Sequence, residues 1–193
     1  MFRPIKRMVV IIATLALVST AQAQTVYNIP LTEAEEVPPS GSVRTGSATL
    51  TLNASQTELS YLIELLGFDL GGFTVTTDDD LTGAHIHDGD FGTNGPIVFS
   101  IFNLPHDVDD VVINATPTLI TMSGVWDAAD ELTGAEPLAS QLADLLNGGL
   151  YMNIHTNQFP GGDIRGQIPE PGSLLLAISG FFMVTLLARR PRS

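Results

Sequence analysis

Apolar and polar side chains alternate with a period of two through the middle of the chain. Ala48, Leu50 and Leu52 are separated by Thr49 and Thr51, and Leu59, Tyr61, Ile63 and Leu65 by Ser60 and Glu64, with Leu62 interrupting the pattern. Successive side chains of a strand point to opposite faces, so this alternation predicts half-buried β-strands. The short polar stretch 53–57 between the two runs suits a hairpin. Further strands are expected over residues 25–29, 84–87, 97–103, 111–115, 119–125, 150–156 and 163–168. Turn-rich segments separate them, among them Gly71-Gly72, residues 88–96 and residues 159–162. Residues 137–147 follow a different period: Leu138, Leu142, Leu145 and Leu146 share one face at helical spacing, Pro137 suits the first turn, and Gly148 stands just past the end. About nine short strands and one amphipathic helix predict a mainly β fold, a two-sheet antiparallel β-sandwich. Trp126, just before the helix, is expected in its core.

The two ends of the chain break the alternation. Arg3, Lys6 and Arg7 precede an apolar run over residues 8–18, and Ala21-Gln22-Ala23 supplies the small residues of a cleavage site. Residues 1–23 therefore read as a signal peptide, cut between Ala23 and Gln24. At the other end, Pro169-Glu170-Pro171-Gly172 stops a strand, since proline lacks the backbone N–H and fixes φ. Residues 173–188 follow without a charge, and then Arg189, Arg190 and Arg192. As a helix that run covers roughly 24 Å, enough with flanking residues for a transmembrane segment whose arginines stay on the cytoplasmic side. Pro169, Glu170 and Pro171, the apolar run and the basic end resemble the PEP-CTERM sorting signal. The resemblance implies recognition and cleavage by an exosortase-type processing enzyme; the hydrophobicity alone supports equally well an ordinary single-span anchor that is retained. The expected organisation is a signal peptide (1–23), one domain (24–168) and a sorting signal (169–193), with the domain exported to the cell envelope or beyond it.

Charge narrows the choice of partners. Of the eight Lys and Arg side chains, three lie in the first segment and three in the last, which leaves Arg44 and Arg165 for the domain. Against these stand 20 of the 21 acidic side chains, a formal net charge of −18. Phosphate backbones would be repelled, so nucleic acid is excluded as a partner. Divalent cations, extracellular polysaccharide and surface proteins remain. The chain has no cysteine, which removes disulfides, thiol chemistry and zinc–thiolate sites.

Candidate chemistry gathers in three segments, Gly83-Ala84-His85-Ile86-His87-Asp88-Gly89, Tyr151-Met152-Asn153-Ile154-His155-Thr156 and Asp163-Ile164-Arg165-Gly166-Gln167-Ile168. One parity of each is apolar. The other carries His85 and His87, then Tyr151, Asn153 and His155, then Asp163, Arg165 and Gln167. If the three strands are neighbours, these polar residues form one patch. These segments, with Asn94-Gly95-Pro96, Phe159-Pro160-Gly161-Gly162 and the early 31–39 segment, resemble the CHRD domain, named from chordin and found also in bacterial exported proteins. The resemblance implies a β-sandwich without an established catalytic activity, and hence a non-enzymatic binding or structural domain at the cell surface or in the extracellular matrix.

Two readings of the polar patch stay open. In one, His85, His87, Asn153, Arg165 and Gln167 form a hydrogen-bonded network that locks the strands, with Asp163 or Asp88 balancing the arginine, and no cofactor is expected. In the other, His85, His87 and His155 hold copper or zinc through three imidazole nitrogens, and the domain is a metal-binding protein or a redox enzyme. The His-X-His strand is similar to the copper strand of Cu/Zn superoxide dismutase, but that enzyme's remaining ligands find no counterpart here. Calcium is not expected: Asp78-Asp79-Asp80 and Asp88-X-Asp90 are acidic loops, and the position for a closing glutamate holds Phe99. Neither a nucleophile elbow nor a spaced acid/base pair stands out, so no catalytic residue is assigned. His106 is expected to be exposed.

Overall fold

In the computed structural model of the chain, residues 23–103 and 107–172 are described. The predicted signal peptide up to residue 22, His106 and the predicted membrane segment 173–188 lie outside them. Among the described residues no helix is long and apolar enough to cross a membrane.

Among the described residues, nine strands form two antiparallel sheets. In chain order they are β1 (Thr25–Leu31), β2 (Thr45–Leu52), β3 (Leu59–Leu66), β4 (Leu81–Asp88), β5 (Ile97–Phe102), β6 (Val112–Ala115), β7 (Leu119–Trp126), β8 (Leu150–Thr156) and β9 (Ile164–Gln167). The five-stranded sheet runs β1-β2-β3-β7-β6 and the four-stranded sheet β5-β4-β8-β9. Each strand expected from the alternation is present. The polar stretch between β2 and β3 makes the expected tight connection, with Asn53 N–H donating to the Glu58 carbonyl at 3.0 Å.

Period two does what it predicts in the five-stranded sheet. β3 alternates strictly between buried and exposed, so Leu59, Tyr61, Ile63 and Leu65 enter the core beside Ala48, Leu50 and Leu52 of β2 and Ile120, Met122 and Trp126 of β7. The four-stranded sheet closes that core with Ala84, Ile86, Phe99, Met152, Ile154 and Ile164. Phe99 stacks on Trp126 at a centroid distance of 4.9 Å and an interplanar angle of 7°, and the indole N–H donates to the Glu136 carbonyl at 3.1 Å. Burying an aromatic with its polar edge satisfied makes this a strong anchor between the sheets. Thr32, just past β1, exchanges backbone hydrogen bonds with Arg165 of β9 at 2.9 and 3.0 Å, which ties one corner of the sandwich shut.

Helix α1 (Leu138–Asn147) covers one end, burying Leu138 and Leu145. Pro137 is its N-cap, one position outside the expected first turn, and Gly148 is its left-handed C-cap at φ 74°. Only glycine adopts that conformation without a Cβ penalty.

Candidate functional site

Strand pairing brings the three polar segments together. β4 and β8 pair antiparallel with His85 opposite Asn153 and His87 opposite Tyr151. β8 in turn pairs with β9, setting Asn153 opposite Arg165 and Tyr151 opposite Gln167. His155 stands opposite Gly83, across a register shift in β4. The polar parity of three adjacent strands thus becomes one surface, as its residue pattern implies.

That surface is not open. Residues 150–154 are buried on both parities of β8, whereas a half-buried strand was expected, because the loop between β4 and β5 folds back over the polar face. Arg165 holds it there. The side chain is 1 % exposed, with its guanidinium 3.3 Å above the Tyr151 ring centroid. It donates to the Thr93 carbonyl at 2.7 Å and to Asn94 Oδ1 at 3.2 Å. The expected balancing of Arg165 by Asp163 or Asp88 does not occur. Asp163 instead pairs with Arg44 at 2.7 Å and accepts from Thr156 Oγ1 at 2.6 Å. Gln167 completes the clamp, with Nε2 within 2.8–3.0 Å of the carbonyls of Gly89, Gly148 and Leu150.

Beneath the clamped loop His85, His87 and His155 form a cluster. One ring nitrogen from each lies within 4.8 Å of the others, and the ring centroids of His85 and His155 are 4.9 Å apart. His87 also stacks on Tyr151, at 4.8 Å and 13°. Two of the rings are oriented from behind. His87 Nδ1 is 3.0 Å from the Gly95 carbonyl and His155 Nδ1 is 3.1 Å from the Pro160 carbonyl. A carbonyl oxygen only accepts, so each Nδ1 carries the hydrogen, and in a neutral ring Nε2 keeps its lone pair. Burial holds the rings neutral, pushing the His87 pKa down to about 4 and lowering that of His155. Nε2 of both is buried without a hydrogen-bond partner among the described residues.

This is the arrangement a metal-binding imidazole requires: Nδ1–H fixed by a backbone carbonyl and Nε2 presented as a neutral donor. Bonds of ~2.0–2.1 Å to one zinc put its ligand nitrogens roughly 3.3 Å apart, so the three rings need to close in slightly from their separation here to share an ion. The residues present therefore fit copper or zinc. The clamp of Arg165 and Gln167 uses backbone carbonyls, Asn94 and a bond from Arg165 to Gln167 Oε1 at 3.2 Å, and leaves the two Nε2 atoms out. Asn153 is 3 % exposed between His85 and Arg165, and its Oδ1 has no partner among the described residues.

Gly83 is the contributor that the sequence pattern does not single out. A Cβ there would lie 2.7 Å from His85 Cε1 and 3.4 Å from His155 Cδ2, so the glycine makes the room in which two imidazoles meet. The Gly95 and Pro160 carbonyls were equally hidden, since any residue supplies a carbonyl and only the path of the loops aims it. Pro169 and Glu170, of the expected sorting motif, are exposed just beyond β9, as are Ala23 and Gln24, at the expected cleavage point, before β1.

Residues 27–168 match the family described as the CHRD domain. No curated protein and no solved structure matches the chain.

Proposed function

Because the chain belongs to the CHRD domain family, with a mainly β two-sheet fold of the extracellular type, we propose that it works outside the cell as a binding protein, not an enzyme, whose centre is a three-histidine copper or zinc site. One observation carries the reading: His87 and His155, each anchored through Nδ1 to a backbone carbonyl, keep Nε2 buried and unpartnered, and one ring nitrogen from each of His85, His87 and His155 lies within 4.8 Å of the others. Burying two polar nitrogens without partners costs free energy, of the order of 1–3 kcal/mol each, that a bound metal returns. Asn153, Arg165 and Gln167 position the site by holding the loop and strands around it. The −18 charge of the domain favours cation capture from the medium.

Export rests on the basic and apolar start of the chain, and delivery on Pro169-Glu170-Pro171 with the apolar, Arg-ended tail. In this reading an exosortase-type enzyme processes the protein at the membrane, and the acidic domain then acts in the envelope or matrix beside polysaccharide or surface proteins.

The test is metal content, measured by elemental mass spectrometry on protein purified without chelator, beside a His85→Ala/His87→Ala variant. About one copper or zinc per chain, lost in the variant, is the expected result. A metal-free protein that also fails to take up either ion on titration would leave the cluster as packing alone. Sustained redox turnover by copper-loaded protein would move it into the enzyme class.

A further inference from the structure

A second group of ligating side chains sits in a different place and has different chemistry. Asp107 and Asp109 lie between β5 and β6, and Asp130 lies in a single 3-10 turn (Asp130–Thr133) after β7. One carboxylate oxygen from each is within 4.8 Å of the others. Asp109 is exposed, but Asp107 is 4 % and Asp130 0 % exposed.

Each buried carboxylate is half satisfied. Asp130 Oδ2 accepts the Asp127 N–H at 2.9 Å, and Asp107 Oδ2 accepts the Tyr61 hydroxyl. Oδ1 of both is buried and has no hydrogen-bond partner among the described residues. Gly124 of β7, opposite Tyr61, leaves the space: a Cβ there would lie 2.7 Å from Asp107 Oδ2 and 2.7 Å from Asp110 Oδ1.

Among the described residues no lysine or arginine answers this charge. The domain's two arginines are engaged elsewhere, Arg44 with Asp163 and Arg165 on Tyr151. Burial pushes the Asp130 pKa up to about 7 and raises that of Asp107, and neighbouring aspartates add to both. Buried carboxylates with unpartnered oxygens and mutual repulsion are what a cation relieves.

We propose that Asp107, Asp109 and Asp130 form a calcium site, separate from the histidine cluster. The all-oxygen donor set suits a hard cation, not copper or zinc. The exposed side at Asp109 leaves room for the waters that complete calcium's six to eight oxygens at ~2.3–2.6 Å, where magnesium requires a tighter octahedron. The acidic loops weighed from sequence, 78–80 and 88–90, are not involved. The site instead joins the loop before β6 to the turn after β7, and so fastens the connection leading to α1.

The experiment is a thermal melt of the full chain in mild detergent, followed by the fluorescence of Trp126, which lies one residue before Asp127. Chelator-treated wild type and Asp109→Asn are compared in about 10 mM calcium and about 10 mM magnesium at matched ionic strength. Extracellular calcium sites have dissociation constants of about 0.1–1 mM, so the wild-type midpoint should rise by about 3–10 °C in calcium. The rise should be much smaller in magnesium and largely lost in Asp109→Asn, whose exposed position keeps the fold intact. No calcium shift, an equal shift in magnesium, or the same shift in the variant would overturn the proposal.

Discussion

His87 shows how one side chain is tuned by its neighbours. The Gly95 carbonyl fixes the hydrogen on Nδ1, and burial lowers the pKa from the ordinary 6.5 to about 4. The folded protein therefore keeps this ring neutral while the unfolded chain protonates it. Stability from this group is full above about pH 6.5 and is lost as pH falls toward 4, by on the order of 3 kcal/mol. His87→Asn, which keeps a donor for the Gly95 carbonyl, should lack that loss. Urea unfolding of both proteins at several pH values between 4 and 7 checks it, and a constant difference between them would contradict the shift. Asp130 has the opposite sign: with its folded pKa raised to about 7, its contribution declines as pH rises through that value. For this reason the His87 effect is read as a difference between variants.

At the scale of elements, the loop between β4 and β5 is the piece that turns a strand face into a buried histidine cluster. Arg165 of β9 reaches across to it with a stacked guanidinium and carbonyl contacts at Thr93 and Asp90. Lysine would keep the charge but lose the planar fork and the stacking. Arg165→Lys should therefore free residues 89–96, seen as faster amide hydrogen exchange there than in β2 and β3. Metal affinity should fall about tenfold as the Gly95 carbonyl loosens from His87, the scale of effect that outer-shell partners of a metal site have. Unchanged exchange in the loop would show that Gln167 alone holds it. The two sheets also show why alternation is uneven as a guide. β3 has solvent on one side and alternates strictly, whereas β8 is covered on both sides and does not.

For the whole molecule, charge and segment order set the working environment. An acidic domain with two arginines is bounded by an apolar start and by an apolar stretch with a basic end, and the proposed delivery across a membrane rests on that order. Pro169 and Glu170 emerge exposed beyond the last strand, where a processing enzyme can reach them without unfolding the sandwich. Replacing Pro169-Glu170-Pro171 with alanines should leave the fold unchanged, stop removal of the tail, and raise the mature mass by about that of the uncut segment. Intact-mass measurement on envelope and medium fractions decides it: the same mature mass in wild type and variant would exclude this motif as the processing signal.

The residue pattern by itself determined the class of fold, the strand positions, the helix with its glycine end, and the set of side chains that share a polar face. Those follow from local periodicity, which each strand or helix carries within its own few residues. It also placed His85, His87 and His155 among candidate metal ligands, because His-X-His sends both rings the same way. Strand order belonged to the tertiary structure: pairings such as His85 with Asn153, and Asn153 with Arg165, join residues far apart in sequence. So did the partners of Arg165, which are an aromatic ring, backbone carbonyls and the side-chain amides of Asn94 and Gln167, and not an aspartate. The same holds for the Asp107, Asp109 and Asp130 group, drawn from two loops whose spacing along the chain has no period. Periodicity reports which face a side chain takes, and only the closed sandwich decides what it meets there.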